Sequence, residues 1–567
     1  MDLLDPTTDE LRERYLFEHL QNQRQQARIS ELEKTVAELN TKVQWYEEQI
    51  RLAAHRRFAP SSEQTPVGQQ ALVFNEAEAV ADPDVPEPDI PETTAEPAPE
   101  TATRRKKAKG HREAQLANLE IREVEYPLPE AERICQCCQN QMEFVKWEVT
   151  RKVEVEPAKA FLMLYKQGVY TCPTCHDDGM PAPIKTATMP KQAFPKSIAS
   201  PSFMAYIIAQ KFVMGAPLYR QEQYAYGLGV LVSRQTMANW MIRAAGVLIP
   251  VYNRMHELLV AREIVQADET DVQVLHEPGR AATTDSTMWM YRSGRDGPPI
   301  VLFDYQHSRA GQYAKEFLQG FGGYDPQTRT IVARKYLQAD GHEGYHAVPT
   351  WILVDEDHDR KVPDVSLVGC WAHARRKFND ALAVIKKEER KPGIITAAEV
   401  GLKFCNDLFK IEAELKDAAP DARLAARKER SEPILNAFKK WLDEQAINAL
   451  PKTCLGKAVA YCLQEWSKLI VFLTDGRLEI DNNAAERSIK PFVIGRKNWL
   501  FANTPRGATA SATLYSIVET AKENHLRPSE YLTYLFRRLP NINIKDPKAI
   551  DELLPWSAAI PDHCRKH

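Results

Sequence analysis

A proline-rich acidic segment divides this chain into two parts. Between Ala59 and Thr103 there is no lysine or arginine, while acidic residues accumulate from Glu63 to Glu100. Few large apolar residues are present, so the segment cannot bury enough surface to offset its chain entropy. We therefore expect a disordered linker over residues 59–115, with a basic run near its end.

Length and charge set broad limits on the remainder. A chain of 567 residues is too long for one hydrophobic core, so three or more folded units are expected. The formal net charge of −3 reflects the acidic linker, and the rest of the chain is net basic. Basic clusters at 104–112, 375–377 and 487–497 can engage phosphates, although any single cluster is more often a solvated charged face.

The sequence disfavours two classes of protein, membrane proteins and disulfide-rich proteins. No run approaches the roughly 18 apolar residues that cross a bilayer. The first residues lack the basic and apolar regions of a signal peptide. Ten cysteines in so long a chain do not make a disulfide scaffold. We expect a cytoplasmic protein without a membrane partner.

Residues 1–58 predict a helix with a heptad seam. Its apolar residues recur at alternating steps of three and four, at Ile29, Leu32, Val36, Leu39, Val43, Tyr46 and Ile50. This period keeps one stripe facing a partner helix, as in a coiled coil. The alternative is an amphipathic helix packed on its own domain. The length and period of the seam favour self-association.

Two Cys-x-x-Cys pairs predict a zinc module within residues 116–195. Cys135 and Cys138 form the first pair, and Cys172 and Cys175 form the second. Four thiolates can surround zinc in a tetrahedron, with each pair on a tight turn. Such a site leaves no open ligand position, so its role would be structural. The alternative is four ordinary buried cysteines.

Residues 196–260 have the pattern of three consecutive helices. The first covers Phe203–Phe212, the second follows Pro217, and Ser233 can cap the third. In a helix-turn-helix, the last helix would present three polar side chains to a DNA groove: Arg234, Gln235 and Asn239. A plain three-helix packing unit has the same pattern, and these residues alone do not separate the two.

From Glu263 onwards the pattern changes to strands. The predicted order is strands at 264–275, 287–293 and 300–305, a helix at 311–320, and strands at 330–338 and 365–369. This succession indicates a multidomain α/β protein with a sheet of ribonuclease H type. A helical insertion, roughly 376–475, interrupts the core of residues 261–525. A C-terminal element is expected at 526–567.

Three acidic residues fall at the ends of these elements: Asp268, Asp340 and Glu486. Phosphodiester chemistry needs an activated oxygen nucleophile and a stabilised leaving oxygen, and two magnesium ions held by a few carboxylates can serve both. Each acid also has a structural explanation. Asp268 has two acidic neighbours, Asp340 precedes a glycine as in a turn, and Glu486 matches a capping box. Their joint occurrence supports the catalytic hypothesis.

Ordered blocks along nearly the whole chain resemble the transposases of insertion-sequence family 66. Besides the paired cysteines, these blocks are Phe58–Glu63, Pro217–Glu222, Gln266–Thr270, Gly369–Phe378, Asp481–Arg487, Gly495–Phe501, Pro528–Leu532 and Leu553–Trp556. The block Asp481–Arg487 is the most specific of them. A chance match to so many blocks in the same order is implausible.

The resemblance implies a DDE-type transposase with Asp268, Asp340 and Glu486 as its magnesium- or manganese-binding triad. Such an enzyme cuts the ends of its element by hydrolysis and joins the freed 3′-hydroxyls to target DNA. The amino-terminal modules would bind the terminal inverted repeats. The resemblance also implies two short accessory proteins encoded by the element. Because two ends must be held together, we expect a homodimer or a larger assembly.

Basic residues near the predicted triad are candidates for phosphate contacts: Arg375, Arg376, Arg487, Lys490, Arg496 and Lys497. His373 is a candidate proton carrier or phosphate contact. Trp499 and Phe501 can stack on an exposed base, but core packing is at least as common for such aromatics and for Trp371.

The chain departs from the family pattern at several positions. His342 stands where tyrosine is frequent, Lys490 replaces a common arginine, Gln139 replaces a usual glycine, and residues 351–364 resemble an insertion. None of these changes removes a triad carboxylate or a zinc thiolate. The alternatives are an inactive descendant that only binds DNA, and a metal-dependent nuclease that cuts without joining.

Replacement of one predicted zinc thiolate tests the paired-cysteine module. We expect Cys135→Ser or Cys172→Ser to release about one zinc ion per chain and to unfold the module, because structural zinc supplies on the order of 10 kcal/mol of folding free energy to such units. Elemental analysis of the purified protein measures the zinc content. Unaltered zinc content in both variants would reject the tetrathiolate site.

Overall fold

The computed structural model describes residues 8–58, 159–171, 184–325, 327, 330–355, 360–385 and 395–566. The predicted linker and the four predicted zinc ligands, Cys135, Cys138, Cys172 and Cys175, lie outside these ranges. Within the described ranges, no helix combines the length and the apolar character that crossing a bilayer requires.

The amino-terminal helix α1 runs from Thr8 to Phe58. Its seven predicted seam residues are 48–69 % exposed. Near its C-terminal end the helix contacts the rest of the chain. There Leu52 is buried, and Glu48 Oε2 accepts a hydrogen bond from the backbone N–H of Cys454 at 2.9 Å. The heptad seam is therefore exposed in a single chain, whereas the C-terminal end of α1 packs against the rest of the chain.

Three helices occupy the region predicted to hold them. They are α2 (Pro201–Phe212), α3 (Leu218–Gly227) and α4 (Arg234–Ala261). Ser233 Oγ accepts a hydrogen bond from Thr236 N at 3.2 Å and so caps α4, as predicted. Before them, strands β1 (Val169–Thr171) and β2 (Ile184–Thr186) pair antiparallel.

The central region contains a mixed sheet. Its elements are β3 (Ile264–Val274), β4 (Asp285–Ser293), β5 (Val301–Gln306), α5 (Gly311–Phe317), β6 (Tyr324–Asp325), β7 (Thr330–Ile331), β8 (Lys335–Gln338), a 3₁₀ turn (Glu343–Ala347), β9 (Trp351–Asp355), β10 (Arg360–Pro363) and β11 (Val365–Val368). The sheet order is β11-β8-β3-β4-β5. Strand β4 is antiparallel to both β3 and β5, whereas β8 is parallel to β3 and β11 is parallel to β8.

Two predicted segments differ in detail from the structure. The strand predicted at 330–338 is two strands, because β7 pairs with β6 and only β8 joins the central sheet. The segment at 351–364, interpreted as an insertion, contains the antiparallel pair β9 and β10. The sheet is therefore shorter at β8 than the sequence predicts, and the pair β9–β10 lies outside it.

A helical insertion separates β11 from the last part of the core. It contains α6 (Trp371–Ala383), α7 (Ala397–Glu414), α8 (Pro420–Ala426), a π-helical turn (Arg427–Ser431), α9 (Glu432–Asn448), α10 (Cys454–Gln464), α11 (Trp466–Leu469) and a 3₁₀ turn (Val471–Leu473). Its core is built around Phe378 and Phe438, which are fully buried. Buried Arg427 binds Glu412 at 2.7 Å and three backbone carbonyls, which ties the insertion together.

The chain then returns to the sheet. It forms α12 (Asn483–Trp499), β12 (Phe501–Ala502), α13 (Pro505–Glu523), α14 (Pro528–Arg538), α15 (Pro547–Asp551) and 3₁₀ turns at Leu539–Asn541 and Asp562–Cys564. Strand β12 runs parallel to the far end of β3. Helix α13 covers the edge of β5, where the hydroxyls of Ser516 and Thr520 accept hydrogen bonds from Phe303 N and Val301 N. This edge is therefore closed to pairing with another strand.

Candidate active site

The register of β3 and β8 brings Asp268 and Asp340 to neighbouring positions. Gln266 pairs with Gln338 in this parallel ladder, and each aspartate follows its glutamine by two residues. Side chains two residues apart share one face of a strand, and paired strands lie about 4.8 Å apart. Asp268, inside β3, and Asp340, two residues beyond the end of β8, therefore both lie two residues past the last pair of this ladder.

Two buried glutamines join these strands to the loop before α12. Gln266 Nε2 donates to Gln338 Oε1 at 3.1 Å. Gln338 Nε2 in turn donates to the backbone carbonyls of Glu479 and Asp481 at 2.8 and 2.9 Å. Gln338 has no exposed surface. This chain of hydrogen bonds, the glutamine relay of Gln266 and Gln338, fixes the loop that leads to Glu486.

Asn482 strengthens the same junction. Its side-chain Nδ2 donates to the carbonyl of Ala267 at 2.8 Å, and its backbone N–H donates to Cys370 Sγ at 3.2 Å. The backbone N–H of Trp371 donates to the carbonyl of Ile480 at 3.1 Å. Because of these bonds, the first turns of α6 and α12 start beside the strand that carries Asp268.

The pKa of Asp268 reflects the acidic residues near it. Burial, together with the negative charges of Glu269, Asp340 and Glu486, raises the pKa of its carboxyl to about 8. One hydrogen bond, from Glu269 N to Oδ1 at 2.9 Å, acts in the opposite direction. No lysine or arginine of the described chain forms an ion pair with Asp268. The site therefore holds more negative charge than the protein compensates.

Glu269 lies on the other face of β3 and has partners of its own. Its carboxylate is buried, pairs with Arg309 and accepts a hydrogen bond from the hydroxyl of Tyr345. Strand alternation alone left open which face holds the functional acid. The neutralised environment of Glu269 is that of a structural ion pair, whereas Asp268 faces the other two acids.

Glu486 does not fold back as a capping residue. The N-cap of α12 is Asn482, without a side-chain cap hydrogen bond, so the capping-box alternative is not what the structure contains. Glu486 Oε1 lies 3.9 Å from His373 Nε2, and Oε2 lies 3.8 Å from a guanidinium nitrogen of Arg376. Both His373 and Arg376 come from α6, so the start of the helical insertion lines the site.

These residues fit a divalent cation. Asp268, Asp340 and Glu486 offer the hard oxygen ligands that magnesium and manganese prefer. Among the described residues, Glu486 Oε1, Asn482 Oδ1 and His373 Nδ1 are buried without a hydrogen-bond partner. Unpaired buried acceptors are costly, and an ion or its bound water satisfies them. Burial also lowers the pKa of His373, which keeps its imidazole neutral.

The predicted DNA-contact residues lie on more than one surface. Arg234, Gln235 and Asn239 are exposed at the start of α4, while Met237 and Trp240 of the same helix are buried. The Arg234 guanidinium lies 5.8 Å from the ring centre of Tyr219. The first helical turns of α4 therefore present one polar face to solvent.

The basic residues of α6 and α12 lie closer to the acids. Arg376 contacts Glu486, and the positive charge of Arg487 lowers the pKa of Asp481, although burial raises that pKa to about 6 overall. Arg375 stacks on Phe409, with its guanidinium 5.4 Å from the ring centre. Exposed or half-exposed side chains along α12 complete the set: Arg487, Lys490, Arg496 and Lys497.

The aromatic candidates separate into core and surface residues. Trp371 is fully buried and donates its indole N–H to the carbonyl of Leu469 at 2.8 Å, so it is a core residue. Trp499 packs against Phe212 and Tyr515. Phe501 remains 42 % exposed. Of the three, Phe501 has the most surface available to a base.

Sequence reasoning missed the residues that assemble the site. Gln266, Gln338 and Asn482 have no catalytic character, and none was singled out. A signal was present, since the tripeptide Gln-Ala-Asp occurs at Gln266–Asp268 and again at Gln338–Asp340. A tripeptide repeated in two predicted strand regions is the pattern of a paired register, with an amide behind each acid.

Comparison with known proteins identifies relatives over most of the chain. A family model described as "Transposase IS66 family" matches residues 196–510. A second, "IS66 C-terminal element", matches 516–556, and a third, "Transposase C of IS166 homeodomain", matches 45–124. The first match includes β3, β8, α6 and α12, which carry the acids described above.

Three curated relatives come from Sinorhizobium fredii (strain NBRC 101917 / NGR234), each described as an uncharacterized protein. The chain is 27 % identical to y4hP over 434 residues, which cover 74 % of this chain and 73 % of the relative. It is 28 % identical to y4jD, over 75 % of this chain and 78 % of the relative. It is 31 % identical to y4qI, over 65 % of each.

Interruption of the glutamine relay should weaken the fold around the acids. We expect Gln338→Leu to lower the free energy of unfolding by about 2–5 kcal/mol, because two buried carbonyls and Gln266 Nε2 lose their partner. Urea unfolding followed by tryptophan fluorescence measures the change. The control is Gln319→Leu, at an exposed glutamine, which should change the free energy by under about 0.5 kcal/mol. Equal effects of the two changes would contradict the relay.

Proposed function

Because the chain belongs to the IS66 transposase family, we propose that it is a DDE-type DNA transposase whose catalytic acids are Asp268, Asp340 and Glu486. The observation that supports this assignment most directly is that the charges of Asp340 and Glu486 both act on the Asp268 carboxyl. Three acids from distant parts of the sequence share one site, although mutual repulsion opposes that arrangement.

The sheet supports a core of ribonuclease H type. Three successive antiparallel strands, β3, β4 and β5, are followed by β8 beside β3 and by β11 outside β8. The order 3-2-1-4-5 that results places the first and fourth strands side by side at the centre. Asp268 and Asp340 leave those two central strands, which is where the proposed chemistry needs them.

The proposed triad would hold magnesium or manganese, which activates the attacking oxygen and stabilises the leaving oxygen of an in-line displacement. The chain's own residues provide the frame for this chemistry. Asp268 and Asp340 are fixed by paired strands, and Glu486 is fixed by the loop that the glutamine relay binds. Arg376, which contacts Glu486, would also be able to contact a phosphate.

The proposed reaction has two displacements. In the first, water attacks a phosphodiester at the element end, and the bond to the 3′ oxygen breaks to free a 3′-hydroxyl. In the second, that hydroxyl attacks a target phosphodiester and expels another 3′ oxygen. The second step forms one phosphodiester bond for each bond it breaks, so it requires no energy-rich cofactor.

The amino-terminal modules supply DNA recognition in this proposal. The exposed polar face of α4, with Arg234, Gln235 and Asn239, would enter a groove of the terminal inverted repeats. The proposed zinc module precedes α4 in the sequence and would support that contact. Its ligands would be Cys135, Cys138, Cys172 and Cys175. We also propose that accessory proteins encoded by the element take part as partners of this chain.

Replacement of single acids tests the proposed triad. We expect Asp268→Asn, Asp340→Asn and Glu486→Gln each to lower the rate of strand transfer by at least about 10³-fold, because each removes a charge that the transition state uses. The assay combines labelled terminal repeats, target DNA and magnesium or manganese. Asp271→Asn is the matched control, because Asp271 lies on the same strand but is exposed, and it should retain activity.

The same assay separates the alternative functions. Cutting of element ends without joined product, at any supply of target DNA, would identify a nuclease. End binding with neither cutting nor joining, unchanged by Asp268→Asn, would identify an inactive DNA-binding descendant. Normal joining by any of the three acid variants would reject the triad.

We also propose that α1 pairs with α1 of a second copy. All four seam positions of one heptad type are β-branched (Ile29, Val36, Val43 and Ile50), and Leu32, Leu39 and Tyr46 occupy the other type. This combination favours parallel two-stranded coiled coils. In that register Arg28 of one copy faces Glu33 of the other, and Lys42 faces Glu47. These flanking charges are complementary, which supports a parallel homodimer.

A charged residue in the seam should separate the copies. We expect Leu39→Asp to convert the dimer to a monomer without loss of the folded core, because Leu39 is 51 % exposed in a single chain. Light scattering coupled to size-exclusion chromatography measures the mass. Lys34→Asp, on the outer face of the same helix, should remain dimeric. A monomeric parent protein, or a dimeric Leu39→Asp variant, would reject the pairing.

A further inference from the structure

A nitrogen atom accompanies the oxygens of the proposed triad. Cys370, His373 and Glu486 each offer one ligand atom, and these three atoms lie within 4.8 Å of one another. Helix α6 contributes the cysteine and the histidine, whereas α12 contributes the glutamate. Only the glutamate belongs to the triad proposed above, so the role of the histidine requires a separate explanation.

The glutamate end of the His373–Glu486 contact, Oε1, lacks the partner expected of a buried polar atom, and so does the far nitrogen of the imidazole. His373 Nδ1 and Glu486 Oε1 are buried without a hydrogen-bond partner among the described residues. His373 Nε2 lies 3.9 Å from Glu486 Oε1, which is too far for a hydrogen bond. The two facing atoms, His373 Nε2 and Glu486 Oε1, are therefore close together without being hydrogen-bonded to each other.

The separation of the two atoms suits one ion between them. Typical metal–imidazole and metal–carboxylate distances are about 2.0–2.2 Å each. Their sum, just over 4 Å, exceeds the 3.9 Å between Nε2 and Oε1. One ion can therefore contact both atoms without forcing them apart. The charges of Glu486 and Asp340 both act on the imidazole of His373.

We propose that His373 supplies a nitrogen ligand to the cation held by Glu486, so that this site favours transition-metal cations over oxygen-seeking calcium. The inference rests on the proposed function, since it assumes that Glu486 binds a cation. Imidazole nitrogen strengthens the binding of first-row transition metals, whereas calcium takes oxygen ligands. Removal of the ring should therefore affect the two kinds of cation unequally.

Cys370 has a different role. Its Sγ is fully buried and accepts a hydrogen bond from the backbone N–H of Asn482 at 3.2 Å. That bond joins the starts of α6 and α12. The thiol already has a partner in the chain, unlike His373 Nδ1 and Glu486 Oε1. We therefore assign Cys370 to the positioning of both helices and not to the ligand set.

Manganese binding to the full-length protein tests the proposal directly. We expect pulsed electron paramagnetic resonance of the manganese-bound protein to show nitrogen coupling, and His373→Gln to abolish it. The variant should bind manganese at least about tenfold more weakly, while its affinity for calcium stays within about twofold of the parent. His346→Gln is the matched control, because His346 is exposed and contacts Lys468 instead of the acids.

The possible outcomes distinguish a wrong role for His373 from a wrong proposed function. If Glu486→Gln and Asp268→Asn leave manganese binding unchanged, the proposed function itself is wrong. If binding depends on those acids but shows no nitrogen coupling, only the role of His373 is wrong. Equal weakening of manganese and calcium binding by His373→Gln would also overturn it, because the ring would then act only by positioning Glu486. The resonance measurement on the parent protein does not depend on the stability of any variant.

Discussion

The glutamine relay is the interaction on which the rest of the site depends. Gln338 donates to two carbonyls of the loop before α12 and accepts from Gln266, so one buried amide binds two strands and a distant loop. Together with the bond from Asn482 to the carbonyl of Ala267, it sets the position of the loop before Glu486 relative to β3 and β8. Neutral amides suit this position, because they add no charge to a site that is already strongly acidic. The acids are thus held by the backbone to which they belong, not by ion pairs.

Much of the secondary structure follows from the sequence, but its assembly does not. The strand-like pattern of the sequence predicted β3, β4 and β5 to within two residues, and Ser233 correctly marked the start of α4. The strand predicted at 330–338 was wrong in extent, because local propensity does not reveal where a strand leaves its sheet. The zinc module stays a prediction, since Cys135, Cys138, Cys172 and Cys175 lie outside the described residues.

The candidate acids were recognisable because few residue types can bind the divalent cation that the proposed chemistry needs. Their neighbours were not, because Gln338 and Asn482 act only through partners far away in sequence. His373 is intermediate between these two groups of residues. The sequence predicted its position near the acids, but it did not predict the unpaired nitrogen or the distance from Glu486. Contacts across a hundred residues or more, such as Asn482 with Cys370 and Ala267, depend on how the insertion packs.

The helical insertion connects features that would otherwise be independent. Its first helix, α6, carries His373 and Arg376 to the acids, and its helix α10 receives the end of α1 through the Glu48 contact. Arg51 of α1 also donates to the carbonyl of Val384, just beyond α6, at 2.8 Å. One helical unit therefore contacts both the candidate active site and the proposed dimer helix. In a parallel dimer, that arrangement would fix where each copy's acids lie relative to the shared coil, as the proposed joining of two DNA ends to one target requires.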